Sequence, residues 1–515
     1  MNGAESLIQT LLDSGVEVCF TNPGTSEMHF VAALDSAPGM RAVLALFEGV
    51  ATGAADGYAR MAGKPACTLL HLGPGLGNGY ANLHNARRAS TPMVNIVGDH
   101  ATYHKQYDAP LQSDIEGLAR TLSGWVHTTV DPRSVAPDAA RAVAAALSPP
   151  GQIATLILPA DNSWSDNAEA AYPTIAPSAP ASVPSERITA VAEILQSGEP
   201  ALILMNGAAL RAEGLQLAAR IAGKTGAVLN AETFAARTAR GAGLPVVERF
   251  PYFGEQAIEA MQAYNHLILL GAKPPVGFFA YPGTPSWFTP PHCAIHTLAR
   301  ADEDALAALA QLAEAVGAKA SDAVLAPSHR PDLPSGALDA MAVGAVVGHF
   351  LPENAIVSDE AVTAGFAIPG CTAGCPPHDW LSLTGGAIGQ GLPVATGAAV
   401  ACPDRKVVCL EGDGSAMYTI QSLWTQAREN LDVTTVVFNN AAYAILQLEL
   451  ARVGVEQPGP NATKVLDLTR PVLNFAQMSQ SMGVPGVRAT TAEEFIKAFS
   501  TAMSERGPRL IEVML

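Results

Sequence analysis

The chain is expected to be an α/β protein of three doubly wound, parallel-sheet domains, and three observations predict this. Short apolar runs of strand length alternate with helical stretches along the sequence, which is the pattern of βαβ units. Punctuation divides the chain twice, at the Pro-, Ser- and Ala-rich stretch Tyr172 to Pro184 and at Pro327, Pro331 and Pro334, as linkers do. The 515 residues are 49% apolar and only 15% charged, enough for about three domains with sheets buried on both faces. The expected units are residues 1–165, 186–323 and 336–515.

In the first unit, strands are predicted at Val16 to Thr21, Ala42 to Phe47, Ala66 to His71, Met93 to Gly98 and Ala154 to Pro159. Glu48 then heads a helix rich in Gly and Ala, where a carboxylate ordinarily complements the helix dipole. The middle unit shows strands at Ala201 to Met205 and His266 to Leu270. The last unit shows them at Ala355 to Ser358, Val407 to Leu410, Val433 to Phe438 and Leu510 to Met514. Between Val407–Leu410 and Val433–Phe438, Ile420 to Glu429 is the expected crossover helix.

Two turn motifs therefore lie at the carboxyl edge of one sheet. Gly412-Asp413-Gly414 closes one strand and Asn439-Asn440 the next, with the 24 residues from Ser415 to Phe438 between them. Open α/β sheets bind ligands at that edge. A carboxylate and an amide oxygen there suit Mg²⁺ beside cofactor phosphates. Gly412 and Gly414 let the backbone approach a diphosphate, and Ser415 can donate from a helix start. These residues point to a magnesium diphosphate cofactor, although Asp, Gly and Asn are also ordinary turn formers.

This spacing resembles the thiamine-diphosphate motif, and Glu48-Gly49-Val50-Ala51-Thr52-Gly53-Ala54-Ala55-Asp56-Gly57-Tyr58-Ala59-Arg60 resembles the segment carrying the cofactor-activating glutamate of the same family. The resemblance covers the whole chain, most strongly in the outer units. It implies a pyrimidine-binding domain at residues 1–165 and a diphosphate- and Mg²⁺-binding domain at 336–515. Asp413, Asn440 and the backbone carbonyl of Ala442 would hold the metal, with Tyr443 following in the cofactor-binding segment. Glu48 would bond the aminopyrimidine, a role that asks for apolar walls such as Leu44, Leu46, Phe47 and Val50. Gly385-Gly386-Ala387-Ile388-Gly389 resembles the loop whose carbonyl, at Gly386, accepts from the aminopyrimidine, with Ile388 as the wedge beneath the cofactor. A site at the interface of a homodimer, or of a homotetramer built from dimers, is implied as well.

Other residues bear on the reaction. Asn22-Pro23-Gly24-Thr25-Ser26-Glu27 and His71 resemble benzoylformate decarboxylase, which makes Thr25, Ser26 and His71 catalytic candidates. Gln112 resembles the glutamine of the acetohydroxyacid synthase, pyruvate oxidase and benzaldehyde lyase group. Phe278 stands where benzoylformate decarboxylase has a histidine. Ala441 to Glu449 lacks the glutamine-tryptophan pair of acetohydroxyacid synthases, although Ile445 and Leu446 could shield an intermediate. The family reading implies decarboxylation of a small 2-oxo acid followed by carboligation to an acceptor carbonyl, as in acetolactate synthases. The alternative is benzoylformate-type release of an aldehyde. A cofactor-binding homologue without turnover is a rival, and so is an oxidoreductase. No G-x-G-x-x-G fingerprint supports a nicotinamide or flavin enzyme, and FAD is not indicated.

The formal charge of −17 argues against a nucleic-acid partner. No apolar run reaches the ~18 residues that cross a bilayer, so no membrane association is expected. Seven scattered cysteines suit a reducing compartment, and a cytoplasmic location is expected.

Overall fold

The apolar runs become three sheets in the computed structural model, which describes residues 1–166, 168 and 170–515. The first holds β1 (Val18–Thr21), β2 (Arg41–Leu44), β3 (Ala66–Leu70), β4 (Met93–Asp99), β5 (Trp125–Thr128) and β6 (Ile153–Pro159) in the order β2-β1-β3-β4-β6-β5, all parallel. Strand β5 was not anticipated: it is a half-buried edge strand, so its sequence lacks the continuous apolar run that marks the buried strands. The middle sheet runs β10-β8-β7-β11-β12, with β7 (Ala201–Met205), β8 (Val228–Ala231), β10 (Glu248–Arg249), β11 (His266–Leu270) and β12 (Ala294–Ala299).

The third sheet is ordered β17-β18-β16-β15-β13-β14-β9. Its parallel members are β13 (Ile356–Glu360), β14 (His378–Ser382), β15 (Val407–Gly412), β16 (Val433–Asn439), β17 (Gly486–Ala489) and β18 (Arg509–Met514). Its edge is β9 (Thr238–Arg240), which pairs antiparallel with β14. Residues inside the span expected for the middle unit thus complete the sheet of the last one. The expected crossover helix is also different: two helices, Asp413–Thr419 and Ser422–Arg428, replace a single one. The first begins directly at Asp413 because Gly412 stays extended (φ −76°, ψ 149°) and caps it.

Packing between the outer units places the candidate residues. The helix Glu48–Ala62 is buried along nearly its whole length and lies on the helix Gly391–Ala401. Glycines permit this approach. A Cβ at Gly57 would stand 2.1 Å from Val394 O, and one at Gly397 would stand 1.8 Å from Ala54 O. Any side chain at either position forces the helices apart. Below this crossing, Arg60 pairs with Asp56 (Nε–Oδ1 2.8 Å) and donates to Ser382 O (2.9 Å) and Ala236 O (3.2 Å). This buried cation ties the first unit to both others, and removing either partner of the pair would leave an uncompensated charge.

Candidate active site

The carboxyl edge of the third sheet is built locally. Asp413 is 4% exposed. Its Oδ1 accepts from Gly414 N at 2.8 Å, while its Oδ2 is buried without a partner. Burial raises its pKa, offset by the nearby backbone N–H groups of Gly414, Ala441, Ala442 and Asn440. Asn439 is the structural member of the asparagine pair: its Nδ2 donates to Glu512 Oε1 (2.7 Å) and its Oδ1 accepts from Ala441 N (3.1 Å). Asn440 stays on the half-buried turn, with Oδ1 accepting from Ala442 N at 3.0 Å. Ala441 has φ +54°, a left-handed conformation that brings the turn back toward Asp413. Ala442 faces Asp467 in a bridge whose bonds use Ala441 O and Tyr443 N, not the Ala442 carbonyl.

Gly414 is required by Tyr443, whose Cε1 would be 2.4 Å from a Cβ there. Ser415 is buried behind Gly412. A buried carboxylate oxygen without a donor, an amide oxygen and a glycine cradle form a donor set that fits a hard divalent cation and a diphosphate.

Facing this edge, the Gly385–Gly389 loop is held from the first unit. Asn85 Nδ2 donates to Ala387 O (2.7 Å), and Asn82 Nδ2 donates to both Gly389 O (3.1 Å) and Gly49 O (2.8 Å). Gly386 has φ +77°, and the ring of Phe278 lies against it, 2.5 Å from where a Cβ would be. Phe278 belongs to an aromatic cluster with Phe234, Tyr252 and Phe279. Ile388 is half-buried and stands outside the main core.

Below this loop, the carboxyl groups of Glu360 and Glu411 are both fully buried. Burial pushes Glu360 up to about 7 and raises Glu411 well above the carboxylate range. This pair was not anticipated from sequence. Glu411 sits at the end of an apolar strand directly before Gly412, and that position is the signal that could have found it.

Glu48 opens its helix and is 7% exposed, with Oε2 accepting from Asn78 Nδ2 at 3.0 Å. Of its expected apolar walls, Val50 is buried but Leu46 is 47% exposed. Leu46 does not enclose the carboxylate within one chain.

A second cluster gathers at His71. Glu27 is 4% exposed, and its Oε2 lies 2.8 Å from His71 Nδ1 and accepts from Gly24 N at 2.9 Å. Ser26 Oγ donates to Glu27 Oε1 and lies 3.2 Å from the same imidazole nitrogen. Glu27 was absent from the expected site residues, because only the fold brings it under His71. Thr25 is exposed and takes no part in this network. Gln112 Oε1 is buried without a partner, and no hydrogen bond joins Gln112 to His71 or Glu48 among the described residues. Nor does a hydrogen bond join Glu48 to Asp413. Leu446 is 47% exposed on the helix Ala444–Arg452 and lines an apolar pocket with Leu450, Val453, Val465 and Leu466.

Comparison with known proteins agrees with this geometry. Residues 1–120 match the thiamine pyrophosphate enzyme N-terminal TPP-binding domain, and residues 354–513 match the C-terminal TPP-binding domain. The chain is 58% identical over its whole length to "Putative acetolactate synthase large subunit IlvX" of Mycobacterium tuberculosis, covering 99% of that protein. It is 28% identical over 97% of its length to benzoylformate decarboxylase of Pseudomonas aeruginosa, covering 96% of it. The fold matches the 4-hydroxybenzoylformate decarboxylase structure from Rhodococcus jostii RHA1 at a TM-score of 0.85 and 24% identity, covering 100% and 99% of the two chains. Among the described residues, no helix is long and apolar enough to cross a membrane. With both cofactor-binding domains matched and a relative aligned end to end, this chain belongs to the thiamine pyrophosphate enzymes, and it is an enzyme of the thiamine-diphosphate-dependent 2-oxo acid decarboxylase and carboligase kind.

Proposed function

We propose that the chain uses thiamine diphosphate with Mg²⁺ to decarboxylate a 2-oxo acid and join the resulting acyl unit to an acceptor carbonyl, as an acetolactate-synthase-like enzyme. The observation that carries this is the buried, unpartnered Oδ2 of Asp413 beside Asn440 and the Gly412–Gly414 turn. Asp413, Asn440 and the Ala442 carbonyl hold the metal. Gly412, Gly414 and Ser415 cradle the diphosphate, with Tyr443 packed on Gly414. Gly386 offers its carbonyl to the aminopyrimidine, Ile388 supports the cofactor from below, and Glu48 bonds the ring and moves its proton. When bound, the cofactor would supply the electron sink that decarboxylation of a 2-oxo acid needs. His71, oriented by Glu27, and Ser26 handle the substrate carboxylate and the new alkoxide. Thr25 and Gln112 line the approach. Active sites form between subunits of a homodimer or homotetramer located in the cytoplasm.

A second reading, benzoylformate-type decarboxylation that releases an aldehyde, is favoured by the Ser26–Glu27–His71 network and the aromatic wall at Phe278. One experiment separates the two. The protein loaded with thiamine diphosphate and Mg²⁺ is given pyruvate, longer aliphatic 2-oxo acids or benzoylformate, with and without an acceptor aldehyde. CO₂ and hydroxyketones are then measured. Hydroxyketone as the main product supports the first reading, and free aldehyde supports the second. Tight cofactor binding with no CO₂ from any substrate would leave a binding homologue without turnover.

A further inference from the structure

Gly389 to Gly391 forms the turn that leaves the Gly385–Gly389 loop and enters the helix Gly391–Ala401. Glu360, at the end of β13, accepts from Gly389 N through Oε1 (2.8 Å) and from Gly391 N through Oε2 (2.6 Å). The turn is gripped elsewhere as well. Ser358 Oγ donates to Gly391 O (2.9 Å), and Thr419 Oγ1, on the helix that Asp413 opens, donates to Gly389 O (3.0 Å). Gly389 itself has φ +94°, and Tyr418 Cβ blocks any side chain there. A Cβ on Gly391 would meet Glu411 Oε2 at 2.3 Å and Glu360 Oε2 at 3.1 Å, so both carboxyl groups crowd the same side of the turn. Glu411 therefore braces Glu360 from the residue immediately before Gly412.

We infer that Glu360 is a positioning residue for cofactor binding, its two carboxylate oxygens setting the Gly389 and Gly391 amides so that Gly386 and Ile388 are held in register with the Gly412–Ser415 edge. The inference rests on the cofactor reading above. Every group involved is buried, so the turn has no water to replace a lost acceptor, and an unsatisfied N–H there is costly. A glutamine at 360 keeps the shape but turns an NH₂ donor toward one of the two amides. Glu411 accepts from neither of these amides, so a glutamine of the same shape at 411 has a smaller effect.

The test is calorimetric titration of thiamine diphosphate with Mg²⁺ into the full-length protein, together with thermal unfolding without cofactor. Glu360→Gln is expected to weaken cofactor affinity by about tenfold or more, and Glu411→Gln by clearly less. Equal losses in the two variants, or wild-type affinity in Glu360→Gln, would overturn the positioning role. Failure of the wild type to bind at all would instead sink the cofactor reading, and this inference with it. Should Glu360→Gln not fold, hydrogen exchange in the wild type decides. Strong protection at the Gly389 and Gly391 amides supports the clasp, and exchange as fast as in an exposed turn refutes it.

Discussion

The edge of the third sheet and the cluster around His71 both place acidic groups in buried surroundings, but they satisfy them differently. Asp413 has one oxygen on a backbone N–H and the other on nothing the protein supplies. Glu27 takes Gly24 N–H, Ser26 O–H and the His71 imidazole. Burying a carboxylate oxygen without a donor is expensive, so a fold retains it where a cation completes it. A carboxylate satisfied by its own chain serves a different end, which is to hold a neighbour. In the proposed function the first arrangement binds and the second orients.

The largest effect should come from a residue that belongs to neither arrangement. Glu48 is held by a single side-chain donor, Asn78. Replacing it by Gln should slow exchange of the cofactor C2 proton, followed by NMR, by about 10² to 10⁴-fold, the usual size of a lost proton-transfer group. Wild-type exchange would reduce Glu48 to a helix-dipole partner.

Next in size, Asp413→Ala should weaken joint binding of Mg²⁺ and thiamine diphosphate by about 100-fold or more, more than the loss of an outer-shell contact. Calorimetry reads this directly. Unchanged affinity would break the contrast, because the unpartnered oxygen would then serve no ion.

For the orienting cluster, Glu27→Gln should lower kcat by about tenfold while leaving cofactor affinity intact, since one or two buried hydrogen bonds are altered away from the diphosphate. Steady-state kinetics alongside calorimetry measure both. Loss of cofactor binding in this variant would mean that the two regions are not separable.

The smallest effect concerns the platform itself. His378 on β14 is 4% exposed, and burial pushes its pKa down to about 4 from an ordinary 6.5. Below pH 6.5 the unfolded chain takes up a proton that the folded chain does not, so stability falls as the pH drops toward 4. Between pH 7 and 5.5 this amounts to about 1 kcal/mol. Because buried Glu360, held at about 7, gains stability as the pH falls over the same window, the readout is a difference: urea unfolding at the two pH values should show the wild type losing about 1 kcal/mol relative to His378→Gln. An equal pH dependence in both would remove His378 from the account.

The same contrast divides what could be read early from what could not. Asp413, Asn440 and Glu48 were legible because each sits within a few residues of a strand end or helix start, and local turn chemistry writes such positions into consecutive letters. The βαβ alternation predicted the three parallel sheets for the same reason, since a buried strand must be apolar along its length. Edge strand β5 escaped because half-burial relaxes that demand. Strand β9 escaped because its partner, β14, lies 138 residues further on by the register of Arg240 and His378.

By itself, then, the sequence determined the fold class and family, and it singled out the sheet edge at Asp413 and the helix start at Glu48 as candidates, all of which depend on neighbours in the chain. Tertiary packing decided that Asn439 is structural while Asn440 faces the turn, that Glu27 rather than Thr25 joins Ser26 at His71, and that Phe278 lies over Gly386. It also brought Glu360 beneath the Gly389–Gly391 turn. Each of those outcomes depends on which remote groups come within hydrogen-bond or contact distance, and only the packed sheets and the crossing of helices Glu48–Ala62 and Gly391–Ala401 fix those distances.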